Sequence, residues 1–220
     1  MSDLNFETAR KHMVESQIRT WEVFDPQVLD LVERAPREDF VPAAYRNLAY
    51  VDMNIPLGHG LVMMPPKMEA RLLQALDVQP TDKVLEVGTG SGYLTWLLAN
   101  LAREVISVEI DATLSAQAEK NLKTHGIKNV TLEVGDAARG WDKHAPYDVI
   151  LITGSLPLFP LEYQKSLAVG GRLVAVVGAS PVMDVVLVRH PTENAYTQES
   201  LFETDLPPLK NAAAPASFVF

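Results

Sequence analysis

The stretch 84–92, VLEVGTGSG, decides the fold of this chain. Together with Lys83, its first residues predict a short apolar strand, and its glycines predict a tight turn. The apolar run 93–101 (YLTWLLANL) predicts the helix that follows. A glycine-rich turn between a strand and a helix lets the backbone approach a ligand, and the helix N-terminus offers unpaired N–H groups to negative charge. The stretch therefore predicts an α/β unit that binds a nucleotide-like ligand.

The spacing of the glycines separates two classes of ligand. A dinucleotide site has the spacing Gly-x-Gly-x-x-Gly, with a small third residue where helix and strand pack. Here Gly92 comes one residue early and Tyr93 stands at the small position, which favours a ligand without a pyrophosphate. Glu86 at the strand end can face an ammonium group, which S-adenosyl-L-methionine has and NAD lacks. We therefore predict S-adenosyl-L-methionine as the cofactor. The predicted contacts within the turn are Glu86, Gly88, Thr89, Gly90, Ser91 and Gly92.

Polar residues also follow three further predicted strands. Glu109, near the end of strand 104–110, lies about 20 residues past the first glycine, where an acid accepts ribose hydroxyls in nucleotide-binding α/β folds. Asp136 follows strand 129–134, where an acid can accept from an adenine amino group. The ordinary alternatives are a solvated strand end for Glu109 and a helix N-cap for Asp136. Because these acids follow the glycine turn in register, we favour a binding site. The remaining predicted cofactor contacts are Ile110, Ala137 and Thr153.

Composition limits the class of protein. The chain has 220 residues, a net charge of −9 and no cysteine, so a broad phosphate-binding surface, disulfides and thiolate chemistry are not expected. Its five histidines are scattered and predict no metal site. The N-terminus is polar and no apolar run approaches membrane-spanning length. We therefore expect no nucleic-acid partner, no membrane contact and a cytoplasmic location.

The hydrophobic pattern divides the chain into two regions that we expect to form one compact unit. A helical N-terminal region with an acceptor-side loop covers residues 1–80, and the α/β core covers 81–220. The predicted fold class is α/β, with a Rossmann-like, mostly parallel sheet and an antiparallel C-terminal edge hairpin. The predicted elements are helices over 6–18, 26–35, 67–76, 113–124 and 161–167, a loop over 52–66, and strands over 147–152, 172–177, 181–190 and 195–206.

The chain resembles the protein-L-isoaspartate O-methyltransferase family over most of its length. The distinctive segments precede the core, for example 36–42 (PREDFVP), and the core continues the match through 86–93 and 170–173. The glycine turn itself is common to class I S-adenosylmethionine-dependent methyltransferases. The resemblance implies a methyltransferase sheet and methylation of the α-carboxylate of isoaspartyl residues in damaged proteins. It thus implies a protein or peptide carboxylate as acceptor. Since that carboxylate is already ionised at neutral pH, the reaction needs positioning rather than a general base.

The acceptor-side loop departs from the family pattern. In the family, the segment after the glycine pair places a threonine and a serine beside the cofactor and the acceptor, and the serine is treated as the active-site residue. Here the segment is 61–66 (LVMMPP), so Val62 stands at the threonine position and the chemically inert Met64 at the serine position. The remaining candidates in this loop are His59, Leu61, Met63 and Lys67.

Three functions remain open at this point. The first is an isoaspartyl methyltransferase in which main-chain N–H groups, or Lys67 and His59, replace the lost hydroxyls. The second is a methyltransferase with a less polar acceptor, since a methionine-lined pocket is adaptable. The third is a non-catalytic protein that binds S-adenosylmethionine and contacts a partner through the apolar loop. Met63 and Met64 could equally be ordinary core residues, and Lys67 and His59 ordinary solvated ones. The complete set of cofactor contacts favours an enzyme, and the oligomeric state is not predicted.

Overall fold

A computed structural model describes residues 5–159 and 161–213 of the chain. The α-helices are α1 (Phe6–Met13), α2 (Pro26–Arg34), α3 (Pro66–Leu76), α4 (Tyr93–Leu101), α5 (Ala112–Thr124) and α6 (Leu161–Lys165). Shorter helical segments are a π-helical turn (Val14–Ile18) and 3₁₀ turns at Arg19–Trp21, Arg37–Asp39 and Ala43–Leu48. The strands are β1 (Ile55–Gly58), β2 (Leu61–Met63), β3 (Lys83–Val87), β4 (Glu104–Glu109), β5 (Val130–Val134), β6 (Tyr147–Leu156), β7 (Leu167–Ala179), β8 (Val182–Thr192) and β9 (Ala195–Thr204).

Strands β3 to β9 form one sheet in the order β5-β4-β3-β6-β7-β8-β9. The pairs from β5 to β7 are parallel, whereas β8 and β9 pair antiparallel with their neighbours. This topology confirms the predicted fold class. The chain moves outward in opposite directions on the two sides of β3, so the loops after β3 and β6 diverge and leave a crevice at the carboxyl ends of the strands.

The N-terminal region packs directly on the sheet. One cluster of buried hydrophobic residues contains Met13 and Leu31 from this region together with Leu97 and Val174 from the α/β core. A hydrophobic core shared by both regions is expected of one compact unit. The boundary at residue 80 stays a prediction. Within residues 5–159 and 161–213, no helix is both long enough and apolar enough to cross a membrane.

The predicted loop 52–66 is wrong in part, because it contains the antiparallel hairpin β1–β2. The turn residues His59 and Gly60 have φ values of 53° and 76°, and Gly58 has a φ of 94°. Two consecutive residues at positive φ make a turn whose twist matches that of paired strands. The glycines on either side of His59 are therefore a hairpin signal within a segment that the proline and methionine content marked as irregular.

Further boundaries of helices and strands also differ from the prediction. Strand β6 continues through Thr153 to Leu156 rather than ending at residue 152. Helix α6 ends at Lys165, and β7 begins before the glycine pair that was expected to precede it. Leu167 pairs with Tyr147 and Arg172 with Val149, so the glycine pair lies in an irregularity within the strand. The tail beyond residue 213 lies outside the described residues.

Candidate functional site

An open cleft of about 700 Å³, the main cleft, lies at the carboxyl ends of the central strands. It lies at the point where the strand order reverses, which is where open α/β sheets bind ligands. Its walls are formed by residues from the glycine turn, the ends of β4, β5 and β6, the hairpin and the C-terminal segment. These are Leu57, Leu61, Val62, Val87, Gly88, Gly90, Val108, Glu109, Ile110, Gly135, Asp136, Ala137, Ala138, Thr153, Gly154, Leu206, Pro207, Pro208, Leu209 and Lys210.

The glycine turn lines the cleft with bare backbone because side chains do not fit there. Gly88 has a φ of 97°, and a Cβ on it would lie 2.2 Å from Thr153 Oγ1. Gly92 has a φ of 85°, and a Cβ on it would lie 3.1 Å from the Cβ of Ala118. The Thr153 hydroxyl donates to the carbonyl oxygens of Val87 and Gly88, each at 2.8 Å. Gly88 and Gly90 therefore line the cleft, whereas Gly92 brings α4 against α5.

Glu109 is fixed on the cleft wall by main-chain donors. Its Oε2 accepts from Gly90 N–H at 2.9 Å and its Oε1 from Asp111 N–H at 3.0 Å. The side chain is 3% exposed and lines the main cleft. Each carboxylate oxygen can accept a second hydrogen bond. The geometry therefore leaves Glu109 able to accept two hydroxyl donors from a ligand.

Asp136 lies at the rim of the cleft and is exposed. Its Oδ1 accepts from Ala138 N–H at 3.0 Å, and its Oδ2 accepts from the Asn211 side-chain amide at 2.9 Å. No helix follows it before Tyr147, so it is not a helix N-cap. The preceding Gly135 is covered by Trp141, since a Cβ there would lie 2.5 Å from the indole ring.

A segment that sequence reasoning missed closes one side of the cleft. This C-terminal strap (residues 206–211) crosses the end of β6 and is tied there by Ser155. Ser155 N–H donates to Pro207 O at 3.0 Å, its hydroxyl donates to Leu206 O at 2.7 Å, and its carbonyl accepts from Leu209 N–H at 2.9 Å. A Cβ on Gly154 would lie 2.7 Å from Leu209, so the strap packs directly on the strand.

Glu86 lies behind the glycine turn rather than on the cleft wall. It is fully buried, and one of its carboxylate oxygens accepts from the hydroxyls of Thr95 and Ser107. Its other oxygen has no hydrogen-bond partner within the described residues. Burial raises the pKa of Glu86 to about 8. Ser107 also contacts Thr89 Oγ1 at 2.6 Å, so this buried network supports the turn. The geometry offers no direct support for the predicted contact between Glu86 and a ligand's ammonium group.

A second open pocket of about 320 Å³, the side pocket, adjoins the main cleft. Leu57, Val62, Gly88, Gly90 and Thr153 line both spaces. The other residues that line the side pocket are Met63, Met64, Glu69, Thr89, Ser91, Tyr93 and Leu94. The two positions at which the family pattern has hydroxyls, Val62 and Met64, thus lie beside the glycine turn.

The side chains of His59 and Lys67 lie outside both the main cleft and the side pocket. His59 is exposed, and its Nδ1 lies 2.7 Å from Asp111 Oδ2. Lys67 Nζ lies 2.6 Å from Asp52 and 4.0 Å from the centre of the Trp21 ring. Neither side chain lines the main cleft or the side pocket. This geometry does not position Lys67 and His59 to replace the missing hydroxyls.

A buried ion pair that sequence reasoning missed holds the side pocket together. Arg37 is fully buried and forms an ion pair with Glu69. It also donates to Met64 O at 2.6 Å and to Ala49 O at 2.7 Å, and lies 4.7 Å from the centre of the Tyr93 ring. Burial raises the pKa of Glu69 to about 7, although the Arg37 guanidinium lowers it. A carboxylate on the apolar face of α3 was the available signal for this pair.

Comparisons with known proteins agree with the fold. A family model described as protein-L-isoaspartate(D-aspartate) O-methyltransferase matches residues 8–212. Two proteins named protein-L-isoaspartate O-methyltransferase, from Synechococcus sp. (strain JA-2-3B'a(2-13)) and Syntrophus aciditrophicus (strain SB), are 38% and 40% identical to this chain. The first alignment covers 93% of this chain and 86% of its relative, and the second covers 86% and 87%.

Two solved structures have the same fold as this chain. A protein-L-isoaspartate O-methyltransferase superposes with a TM-score of 0.80 at 21% identity, and the match covers 93% of this chain and 67% of that one. A putative protein-L-isoaspartate O-methyltransferase from Plasmodium falciparum, in complex with S-adenosyl-L-homocysteine, superposes with a TM-score of 0.77 at 21% identity. That match covers 91% of this chain and 98% of the other.

Proposed function

Because this chain belongs to the protein-L-isoaspartate O-methyltransferase family and is an S-adenosylmethionine-dependent methyltransferase, we propose that it methylates the α-carboxylate of isoaspartyl residues in proteins or peptides. One observation carries the proposal. The main cleft and the side pocket lie next to each other at the glycine turn, and Val62 and Thr153 line both spaces. A cofactor in the cleft and an acceptor in the pocket would therefore meet at the turn.

The residues of the main cleft fit S-adenosylmethionine. Bare backbone at Gly88 and Gly90 leaves room for close approach, and Glu109 keeps two oxygens able to accept ribose hydroxyls. Asp136 at the rim can accept from an adenine amino group. When bound, this cofactor supplies an electrophilic methyl group on its sulfonium. The remaining wall residues that we propose as contacts are Ile110, Ala137 and Thr153. Glu86, Thr89, Ser91 and Gly92 support the turn from behind or beside it.

The acceptor needs orientation and exclusion of water rather than proton transfer. An isoaspartyl carboxylate is ionised at neutral pH, so no general base is required. Val62, Met63 and Met64 exclude water from the pocket but carry no hydroxyl that could orient a carboxylate. A hydrogen bond to a charged group contributes roughly 1.5–3 kcal/mol. We therefore expect slow methyl transfer by the unaltered protein.

The test is methyl transfer from labelled cofactor to an isoaspartyl peptide, run beside its normal aspartyl twin. We expect slow, isoaspartyl-selective transfer. The double substitution Val62→Thr, Met64→Ser should raise the rate constant by roughly tenfold or more, with little change in cofactor affinity, because the new hydroxyls act on the acceptor. Val182→Thr, at an exposed position of β8, is the matched control and should change neither quantity.

Two outcomes would contradict this proposal. Transfer to neither peptide, together with tight cofactor binding, would exclude isoaspartyl methylation. An equal rate on both peptides would exclude the proposed selectivity. The cytoplasmic location, the absence of nucleic-acid and membrane partners and the division of the chain at residue 80 stay predictions from the sequence.

A further inference from the structure

The side pocket is lined by positions 62 and 64, which carry no hydroxyl group, and it also contains an ionisable side chain. Glu69 lines the same pocket as Val62 and Met64 and is 2% exposed. Three of the four hydroxyl groups that line this pocket have contacts of their own, and the fourth belongs to Tyr93. Thr89 bonds Ser107, and Thr153 donates to main-chain carbonyls. The Ser91 hydroxyl contacts the sulfur of Met63 at 3.7 Å. Glu69 is therefore the carboxyl group available to an acceptor in this pocket.

The two oxygens of Glu69 have different surroundings. Arg37 Nη1 donates to Oε2. Within residues 5–159 and 161–213, no hydrogen bond reaches Oε1. A proton on Oε1 would leave the bond from Arg37 intact, because a neutral carboxyl group still accepts through its other oxygen. The protonated side chain would then have an O–H group to donate.

The groups that face Glu69 come from three elements. Arg37 from the 3₁₀ turn Arg37–Asp39 stabilises the ionised form, whereas burial favours the neutral form. Glu86 from β3 and Tyr93 from α4 are the other titratable groups whose pKa values are raised by the charge of Glu69. The balance leaves the pKa of Glu69 at about 7. An anionic acceptor in the pocket would favour the neutral form further, because like charges disfavour ionisation.

We propose that Glu69, in its protonated form, donates a hydrogen bond to the acceptor carboxylate and orients it, in place of the hydroxyls that are absent at positions 62 and 64. This role rests on the proposed function. Glu69 forms no covalent bond and keeps its proton through the transfer. Once the acceptor becomes a neutral methyl ester, the bond to it weakens, since hydrogen bonds to charged groups are the stronger ones. Release of the product is thereby favoured over release of the acceptor.

The test measures binding of an isoaspartyl peptide to the complex with S-adenosylhomocysteine by calorimetry, from about pH 6 to pH 9. Two buffers of different ionisation enthalpy report proton uptake. The peptide carboxylate stays ionised over this range. Because only the protonated enzyme donates, the affinity should fall by up to about tenfold per pH unit above the pKa of Glu69, and binding should take up as much as one proton.

Three variants separate Glu69 from its neighbours. Glu69→Gln keeps an oxygen for Arg37 and gains a permanent N–H donor, so it should bind within severalfold of the unaltered protein at pH 6 without pH dependence. Glu69→Met should bind roughly 10- to 100-fold more weakly at pH 6, also without pH dependence. Tyr93→Phe removes the neighbouring hydroxyl and should keep the pH dependence. Methyl-transfer rates at low peptide concentration should follow the same order.

The possible results each decide the question. Peptide binding that is independent of pH, or equal in Glu69→Met and the unaltered protein, would overturn the role of Glu69 and leave the proposed function standing. If Tyr93→Phe binds the peptide as weakly as Glu69→Met at pH 6, the donor is the Tyr93 hydroxyl and the role of Glu69 is overturned. If the unaltered protein binds S-adenosylhomocysteine but neither binds nor methylates the peptide, the proposed function fails, and the role of Glu69 fails with it. Should Glu69→Met not fold, the proton uptake and the pH profile of Glu69→Gln decide.

Discussion

Replacing Glu109 by glutamine tests how the main cleft holds its cofactor. The carboxylate accepts from Gly90 N–H at 2.9 Å and from Asp111 N–H at 3.0 Å, one donor for each oxygen. Glutamine offers one oxygen, so its amide group must face one of these N–H donors. One ribose hydroxyl thereby loses its acceptor. A hydrogen bond to a charged group contributes roughly 1.5–3 kcal/mol, so the dissociation constant should rise roughly 10- to 150-fold.

Calorimetry with S-adenosylhomocysteine measures this change without turnover. Glu104→Gln is the matched control, because Glu104 lies at the other end of β4 and pairs with Arg103 at 3.1 Å on the surface. Its affinity should match that of the unaltered protein. Thermal unfolding of both variants checks that the fold is retained. An unchanged affinity in Glu109→Gln, with the fold intact, would show that this carboxylate only holds the turn and does not contact the ribose.

Two further changes test the turn and the edge of the sheet. Gly90→Val should abolish cofactor binding in calorimetry, because φ is 55° and a Cβ would lie 3.3 Å from Leu57 in the cleft; normal binding would mean that the turn does not contact the cofactor. Burial raises the pKa of Glu133, but hydrogen bonds from His144, Lys143 and Trp141 lower it to about 2. The pKa of glutamate in the unfolded chain is about 4.3. The contribution of Glu133 to the free energy of unfolding is therefore fully present above that pH and is lost as the pH falls toward 2. In urea unfolding, Glu133→Gln should therefore lose less stability than the unaltered protein between about pH 5 and pH 2. The same loss in both proteins would contradict the role of these hydrogen bonds.

The parts of the fold that follow from local pattern could be predicted from the sequence. The run 84–92 carries its own turn chemistry, and β-branched residues mark β4 without reference to the rest of the chain. The position of Glu109 on the cleft wall follows from the same logic, since parallel strands end at one edge of the sheet. The fold class and the cofactor could therefore be predicted from the spacing of residues that lie close together in the sequence.

The side pocket and the strap could not be predicted in this way, because contacts distant in sequence create them. Ser155 ties Leu206 across 51 positions of the chain. Arg37 reaches Glu69 across 32 positions, and nothing within either local segment specifies the partner. Glu86 shows the same limit. Its place at a strand end predicted contact with the ligand, whereas the hydroxyls of α4 and β4 enclose it behind the turn.

The buried pair Arg37–Glu69 gives a physical reason why an apolar acceptor loop can still serve a carboxylate. An unpaired charge in a cavity of methionine and leucine would be costly, so Arg37 needs a partner at all times. With Glu69 ionised, the pair is neutral, and the Glu69 carboxylate would repel an acceptor carboxylate in the pocket. With Glu69 protonated, the guanidinium is left with excess positive charge, and an acceptor carboxylate restores neutrality inside the pocket. The hydrogen bond that the family pattern places at positions 62 and 64 would thus come from Glu69 on α3. Arg37 connects the two places, because it pairs with Glu69 and donates to Met64 O.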